Sequence, residues 1–223
     1  MYVPTAFREE NIENLVAFMR AHSFATLISI RDQAPVATHV PLVVSLKEDV
    51  ITLSGHLAKQ NSQWQSFGDN ESLAVFTGPH AYVSPTAYEK RENVPTWNYM
   101  AVHAYGIPKP IVLAPSPGDP DRSRESRESM ETMIDDMIET YEVDYKSQWD
   151  ALAENYRVGQ MKGIVGFEMT VTRLDGKYKL SQNRSHTDQA NVAHMLIHQN
   201  DSEAQAIGEA MQQNLESHDD AKE

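Results

Sequence analysis

Between Leu53 and Trp64 the chain reads LSGHLAKQNSQW and places Ser54, Gly55, His56, Lys59 and Asn61 within eight residues. That is a hydroxyl, a permissive glycine, an imidazole, an ammonium and an amide. The β-rich run Val50–Leu53 precedes them, and helical residues are expected from about Ala58 to Phe67. A strand that feeds a helix through such a turn aims backbone N–H groups and a cation at one point, which suits an anion. Phosphate capture by Ser54, Lys59 and the backbone, with His56 close by, is one reading. A helix start that carries a surface lysine is the other.

Three further groupings carry chemistry. His39, in Thr38-His39-Val40-Pro41, can stack on or bond a planar ligand from a strand, or serve as a satisfied core histidine. In Val94–Gly106 (VPTWNYMAVHAYG), Trp97, Tyr99, His103 and Tyr105 fall at even spacing and so share one strand face. Such a face lines a flavin or haem pocket, forms a dimer interface, or simply packs. Lys177–Arg184 (KYKLSQNR) collects cations, a hydroxyl and two amides at the end of a strand pair. It is a second anion or ring-edge contact, or a solvated strand end.

Other groupings read as structure. His194 and His198 have the i,i+4 spacing of a metal pair, but no third ligand accompanies them, so a solvated helix face is expected and no metal. Met130, Met133, Ile134, Met137, Ile138 and Tyr141 form an apolar stripe that reads as core or interface. No Ser-His-Asp arrangement and no carboxylate pair stands out for catalysis.

The elements that position these residues follow from periodicity and turn signals. Asn11 is an N-cap for a helix through about His22, after an extended arm at Met1–Arg8. Strands are predicted at Ala25–Ile30, Val36–Leu46 (edged, bulged or kinked by Pro41) and Val50–Ser54, joined by turns at Asp32–Pro35 and Glu48-Asp49 as an antiparallel meander. Leu73–Thr77 is a strand that Gly78-Pro79 breaks, and His80–Val83 resumes an extended path. Trp97–Tyr105 is a strand. Pro108–Asp121 holds five prolines and reads as a connector with a short strand at Ile111–Leu113. Helices are expected at Glu125–Tyr141 and Trp149–Tyr156. Ile164–Leu174 and Tyr178–Leu180 form a hairpin about Asp175-Gly176. One or two helices span about Thr187–Leu215, and Ser217–Glu223 is a disordered acidic tail. Many short strands with few helices between them predict a small antiparallel barrel with helices outside. There is no βαβ alternation and no GxGxxG, which argues against a Rossmann or flavodoxin-like sheet.

The 223 residues carry a net charge of −13, with 40% hydrophobic residues, and the mean hydropathy is −0.52. Non-specific nucleic-acid binding needs a basic face that this balance disfavours. The absence of cysteine excludes disulfides, thiolate zinc ligands and thiol nucleophiles. No secretory signal and no apolar run of the roughly 18 residues that a membrane span needs is visible, so a cytoplasmic location is expected.

Several stretches together carry a family pattern: Met1-Tyr2-Val3-Pro4 with Phe7, THVPL at Thr38–Leu42, GHLAKQN at Gly55–Asn61 with Trp64, and FTGPHAYVSP at Phe76–Pro85. So do Pro95–Tyr99 with Val102-His103, and Gly166-Phe167-Glu168 running on to GKYKLSQNR at Gly176–Arg184. From Met1 to about Leu215 the chain resembles the PaiB family of FMN-binding negative transcriptional regulators. The resemblance implies a mainly β fold with flanking helices, an FMN-binding split β-barrel that is antiparallel and Greek-key-like, working as a homodimer. Residues 1–183 would form the flavin-binding domain, with a helical insertion at about 122–156, and residues 184–223 a helical segment and tail. Carried over by position, Ser54 and Lys59 hold phosphate within the turn that includes Gly55, His56 and Asn61. His39, Val40, Pro41 and Leu42 line the isoalloxazine. Trp97, Tyr99, His103, Gln182, Asn183 and Arg184 approach from the partner chain. Related barrels bind haem, so haem is the alternative cofactor. A flavin-dependent oxidoreductase and a haem-binding or haem-degrading protein are the alternative functions. No Gly-turned helix pair with a basic recognition helix is present, so direct DNA binding is not expected.

Overall fold

A computed structural model describes residues 1–113 and 120–220. In chain order the elements are β1 (Arg8–Glu9), α1 (Ile12–Ala21), β2 (Phe24–Arg31), β3 (Ala34–Pro41), β4 (Val43–Lys47), β5 (Val50–Ala58), β6 (Ser72–Val83), β7 (Thr96–Gly106) and β8 (Lys109–Ile111). Then come α2 (Pro120–Tyr141), α3 (Lys146–Ala151), α4 (Glu154–Met161), β9 (Ile164–Lys179), α5 (His186–Ile197) and α6 (Ser202–Asp220). The structure is mainly antiparallel β with flanking helices. The hydrogen-bonded strand order is β3-β2-β6-β7-β9-β5-β4, with β1 and β8 each also pairing with β9. The chain forms two compact units, one of Met1–Phe18, Thr77–His103 and Asp175–Glu223, the other of Met19–Phe76 and Ala104–Leu174. Strands β6, β7 and β9 pass from one unit into the other.

In the Met19–Phe76/Ala104–Leu174 unit, two hairpins carry the local geometry. Asp32 and Gln33 join β2 to β3 with φ of 50° and 63°, and Glu48 and Asp49 join β4 to β5 with φ of 48° and 64°. Two consecutive left-handed residues make the type I′ turn whose twist matches the flanking strands. The turns expected at Asp32–Pro35 and Glu48-Asp49 are therefore present, but the predicted meander is not. Val36–Leu46 is two strands, β3 pairing with β2 and β4 with β5. The break falls after Pro41, where the missing N–H ends a ladder, and buried Leu42 donates its amide to the Ser23 carbonyl at 2.9 Å. The helix α2 is anchored by its methionine stripe: Met130, Met133 and Met161 of α4 form a buried cluster. Each such side chain contributes about 1.5–3 kcal/mol by leaving water.

In the other unit, α5 and α6 pack with Ala81, Val83 and Leu180 around Val192, Leu196, Ile207 and Met211. Ser185 caps α5, its hydroxyl accepting from the Asp188 amide at 3.1 Å. Asn11 caps α1 as predicted, its Oδ1 accepting from the Asn14 amide at 3.0 Å. The Met1–Arg8 arm is less extended than expected: Thr5–Phe7 forms a 3-10 turn and Arg8 enters β1. The N-terminal amine meets Asp175 at 2.6 Å.

Two predicted breaks are absent. Strand β6 runs unbroken through Gly78-Pro79. Strand β9 runs unbroken through Asp175-Gly176, so there is no hairpin there. Gly176 faces Glu9 of β1, and a Cβ at Gly176 would lie 2.3 Å from Leu15 Cδ2 and 2.8 Å from the Glu9 carbonyl oxygen. The glycine serves close approach rather than a turn. The Pro108–Asp121 connector contains β8, two residues earlier than expected, and its residues 114–119 lie outside those described. Helix α2 starts at Pro120 and α6 runs to Asp220, so the helix covers most of the stretch expected as a tail; residues 221–223 lie outside those described.

Candidate functional site

The Ser54–Asn61 stretch is largely a strand. Strand β5 continues through Ala58, so Ser54, Gly55 and His56 sit in a ladder, opposite Glu168, Phe167 and Gly166 of β9. The turn comes later, at Lys59–Asn61, and is followed by a 3-10 segment, Ser62–Ser66, rather than a longer helix. Ile51, Leu53 and Leu57 are buried on one face of β5, and its pairing with β9 carries the strand through Ala58. Ser54 is buried. A Cβ on Gly55 would lie 3.0 Å from both Leu42 Cδ2 and the Pro41 carbonyl oxygen, which makes it a packing glycine. The His56 ring lies under α2, with Nδ1 3.4 Å from the Met137 sulfur. Burial holds its pKa below the ordinary imidazole value, so the ring is biased to the neutral form.

Lys59 differs. It is exposed, and among the described residues its ammonium enters no ion pair or hydrogen bond, while its backbone is fixed at both ends. Its amide donates to the Gly163 carbonyl at 2.9 Å, and its carbonyl accepts from Trp64 Nε1 at 3.1 Å. Asn61 is tied down beside it. Its Oδ1 caps the 3-10 segment through the Gln63 amide at 3.0 Å, and its Nδ2 donates to Thr38 Oγ1 at 2.8 Å. Thr38 Oγ1 in turn donates to Gln63 Oε1 at 2.6 Å. Gln63 is fully buried, and its Nε2 reaches the Leu27 carbonyl at 3.0 Å and Ser29 Oγ at 3.2 Å. This amide network fixes the Lys59 turn against β2 and β3. Gln63 was not singled out from the sequence; its position two residues after a capping asparagine was the available signal.

Strand β3 ends the hydrogen-bonded order and, among the described residues, pairs with β2 alone. His39 is exposed on it, with Nδ1 3.0 Å from Thr26 Oγ1 and its ring stacked on Phe24 at 6.2 Å. Val40 and Leu42 are buried, and Pro41 is half-buried. Tyr141 of α2 donates to the Leu42 carbonyl at 3.1 Å. A cation that is free among the described residues, at a turn bonded to Thr38 of β3, and an exposed imidazole at the next residue of that strand suit a molecule with an anionic end and a planar end.

The Trp97 and Arg184 stretches belong to the other unit. Trp97 is 53% exposed, with His80 and Tyr82 each 5.9 Å away ring to ring. Tyr99 and His103 are half-buried further along β7. Gln182 is consumed by its own turn, accepting from the Leu180 amide at 2.7 Å and donating to the Tyr178 carbonyl at 2.6 Å. Asn183 is exposed. Arg184 donates to Asn93 Oδ1 at 2.8 Å and lies 4.5 Å from the Tyr88 ring centre. His194 and His198 stack at 4.2 Å, and no group of three metal-ligating side chains occurs among the described residues. No described helix is long and apolar enough to cross a membrane.

This arrangement of strands and helices defines a flavin-binding split β-barrel. Two solved structures share the fold: the flavocytochrome Anf3 from Azotobacter vinelandii (TM-score 0.54, 12% identity, 82% of this chain and 75% of that one) and the FAD and haem binding protein from Mycobacterium smegmatis (TM-score 0.54, 12% identity, 82% and 78%). Residues 1–173 match the family described as "Putative FMN-binding domain". The chain is also 38% identical over 218 residues to the "Protease synthase and sporulation protein PAI 2" of Bacillus subtilis (strain 168), spanning 96% of this chain and 98% of that protein. An uncharacterised protein of Emericella nidulans is 30% identical over 189 residues, 70% of this chain and 72% of its own length. The chain belongs to the PaiB family of FMN-binding proteins, and FMN is the cofactor this membership assigns.

Proposed function

We propose that the protein is a cytoplasmic, homodimeric FMN-binding regulator that acts through its flavin or a protein partner rather than through a dedicated DNA-binding motif. The observation that carries the flavin site is Lys59: an exposed ammonium, unpaired among the described residues, on a turn immobilised by Asn61, Thr38 and Gln63. Lys59 holds the phosphate at the turn that Asn61 fixes, and exposed His39 with half-buried Pro41 lines the isoalloxazine; Ser54, Gly55, His56, Val40 and Leu42, packed behind them in β5 and at the end of β3, support that lining without touching the cofactor. Trp97, Tyr99, His103, Gln182, Asn183 and Arg184 approach that ring from a second copy.

The regulatory part draws on the name of the Bacillus relative, which ties that protein to protease synthesis and sporulation. Charge supports an indirect route. The paired helices α5 and α6 span His186–Asp220 without one Lys or Arg, so the pair offers DNA phosphates no cation.

Absorbance of the purified protein tests the reading. Flavin bands support it; a Soret band in their place would move the protein to the haem class. Bleaching of the bound flavin by NAD(P)H would assign an oxidoreductase. A gel shift showing tight, sequence-specific DNA binding at about physiological salt overturns the indirect route.

A further inference from the structure

We propose that Lys177, Lys179 and Arg184, beside the open ring of Trp97, form a second anion site that takes the phosphate or carboxylate of a planar small molecule. The proposal rests on the flavin reading for that molecule's role, as the compound presented to the flavin ring; the anion binding itself is read separately.

The cluster stands out against the rest of the chain. Acidic residues outnumber basic ones 32 to 19, and other cations find them: Arg127 pairs with Glu131 and Glu154, and Lys146 with Asp135 and Asp150. Lys177, Lys179 and Arg184 pair with no carboxylate among the described residues. Lys177 is only 8% exposed. A buried ammonium with no anion is unfavourable unless other groups stabilise it. Here aromatic faces do part of that. Lys177 lies 5.8 Å from the Tyr2 ring centre and 5.1 Å from that of Tyr99, Lys179 lies 5.9 Å from Phe7, and Arg184 stacks on Tyr88.

The geometry leaves donors free. Lys177 and Lys179 alternate on β9 and so share a face. Lys177 donates one hydrogen bond, to the Tyr2 carbonyl at 3.3 Å. Lys179 donates two, to Thr96 Oγ1 at 2.6 Å and to the Trp97 carbonyl. Arg184 uses one of its five N–H donors, on Asn93. Burial, and then the charges of Lys177 and Arg184, hold the Lys179 pKa down. An anion relieves that repulsion. Lys177 lies over the Tyr99 ring, and Trp97, two residues earlier, shares that face of β7, so the platform next to the cations is the half-exposed indole, flanked by His80 and Tyr82. Cations beside an aromatic platform select a small anion attached to a ring.

The test titrates phenyl phosphate, benzoate and inorganic phosphate into the protein with and without FMN, by calorimetry. Phenyl phosphate or benzoate is expected to bind saturably and more tightly than inorganic phosphate, and the better of the two names the anion. Lys179→Gln is expected to weaken that binding by about tenfold or more without lowering the FMN load or the melting temperature. Trp97→Ala is expected to erase the advantage of the ring. No saturable binding of either ring anion, or Lys179→Gln binding as wild type, overturns the proposal. So does stoichiometric release of FMN by phenyl phosphate, which would make the cluster the site of the flavin's own phosphate. Failure to load FMN while phenyl phosphate still binds would sink the flavin reading and leave the anion site standing.

Discussion

Gln63 shows what a single side chain does here. Fully buried, it joins Thr38, Leu27 and Ser29 to the turn that presents Lys59. Gln63→Ala strands those groups and is expected to cost about 1–3 kcal/mol, measured as a fall in the urea midpoint at unchanged slope. His56 gives a pH signature. Its folded-state pKa lies below the ordinary 6.5, so the unfolded chain takes up the proton first. Stability should therefore fall as pH drops below about 6.5, and His56→Gln should flatten that slope in melting curves taken between pH 7 and 5. Residues that act locally were legible in the sequence: the Asn11 cap and the Asp32-Gln33 and Glu48-Asp49 turns need only their neighbours. Ser54, Gly55 and His56 were read as a turn because their types resemble one. Their place in the ladder depends on β9, more than a hundred residues away in the chain.

Elements were legible where a period repeats within one segment, as in the methionine stripe of α2. They were misread where a long-range pairing overrides a local signal. Asp175-Gly176 is a strong turn pair on its own, yet β1 holds β9 straight through it and requires the glycine for contact with Leu15 and Glu9. Gly176→Ala therefore has to displace both the Leu15 side chain and the Glu9 backbone. It should destabilise by about 1–3 kcal/mol, read as a lowered melting temperature; a true turn glycine would be replaceable there by asparagine, and this one is not. Pro79 tells the same story in β6, where the strand carries a residue that in isolation signals a break.

At the scale of the molecule, charge separates binding a cofactor from binding DNA. The net charge of −13 and the cation-free α5–α6 pair disfavour a nucleic-acid face, while Lys59 and the Lys177–Arg184 cluster are local exceptions suited to small anions. The proposed second copy predicts a particle of twice the 25.1 kDa chain mass by light scattering on a sizing column. The family pattern was legible because it spans stretches far apart in the chain that only a common fold unites; which cations stay unpaired was not, because pairing is decided in three dimensions. The central claim is that Lys59 holds the flavin phosphate, and comparing FMN with riboflavin, which lacks that phosphate, tests it most directly. The wild type should prefer FMN by about 10- to 100-fold, the range of a charge-assisted hydrogen bond worth about 1.5–3 kcal/mol. Lys59→Ala should lose most of that preference while binding riboflavin as before. A Lys59→Ala variant that keeps the full preference for FMN would contradict the account.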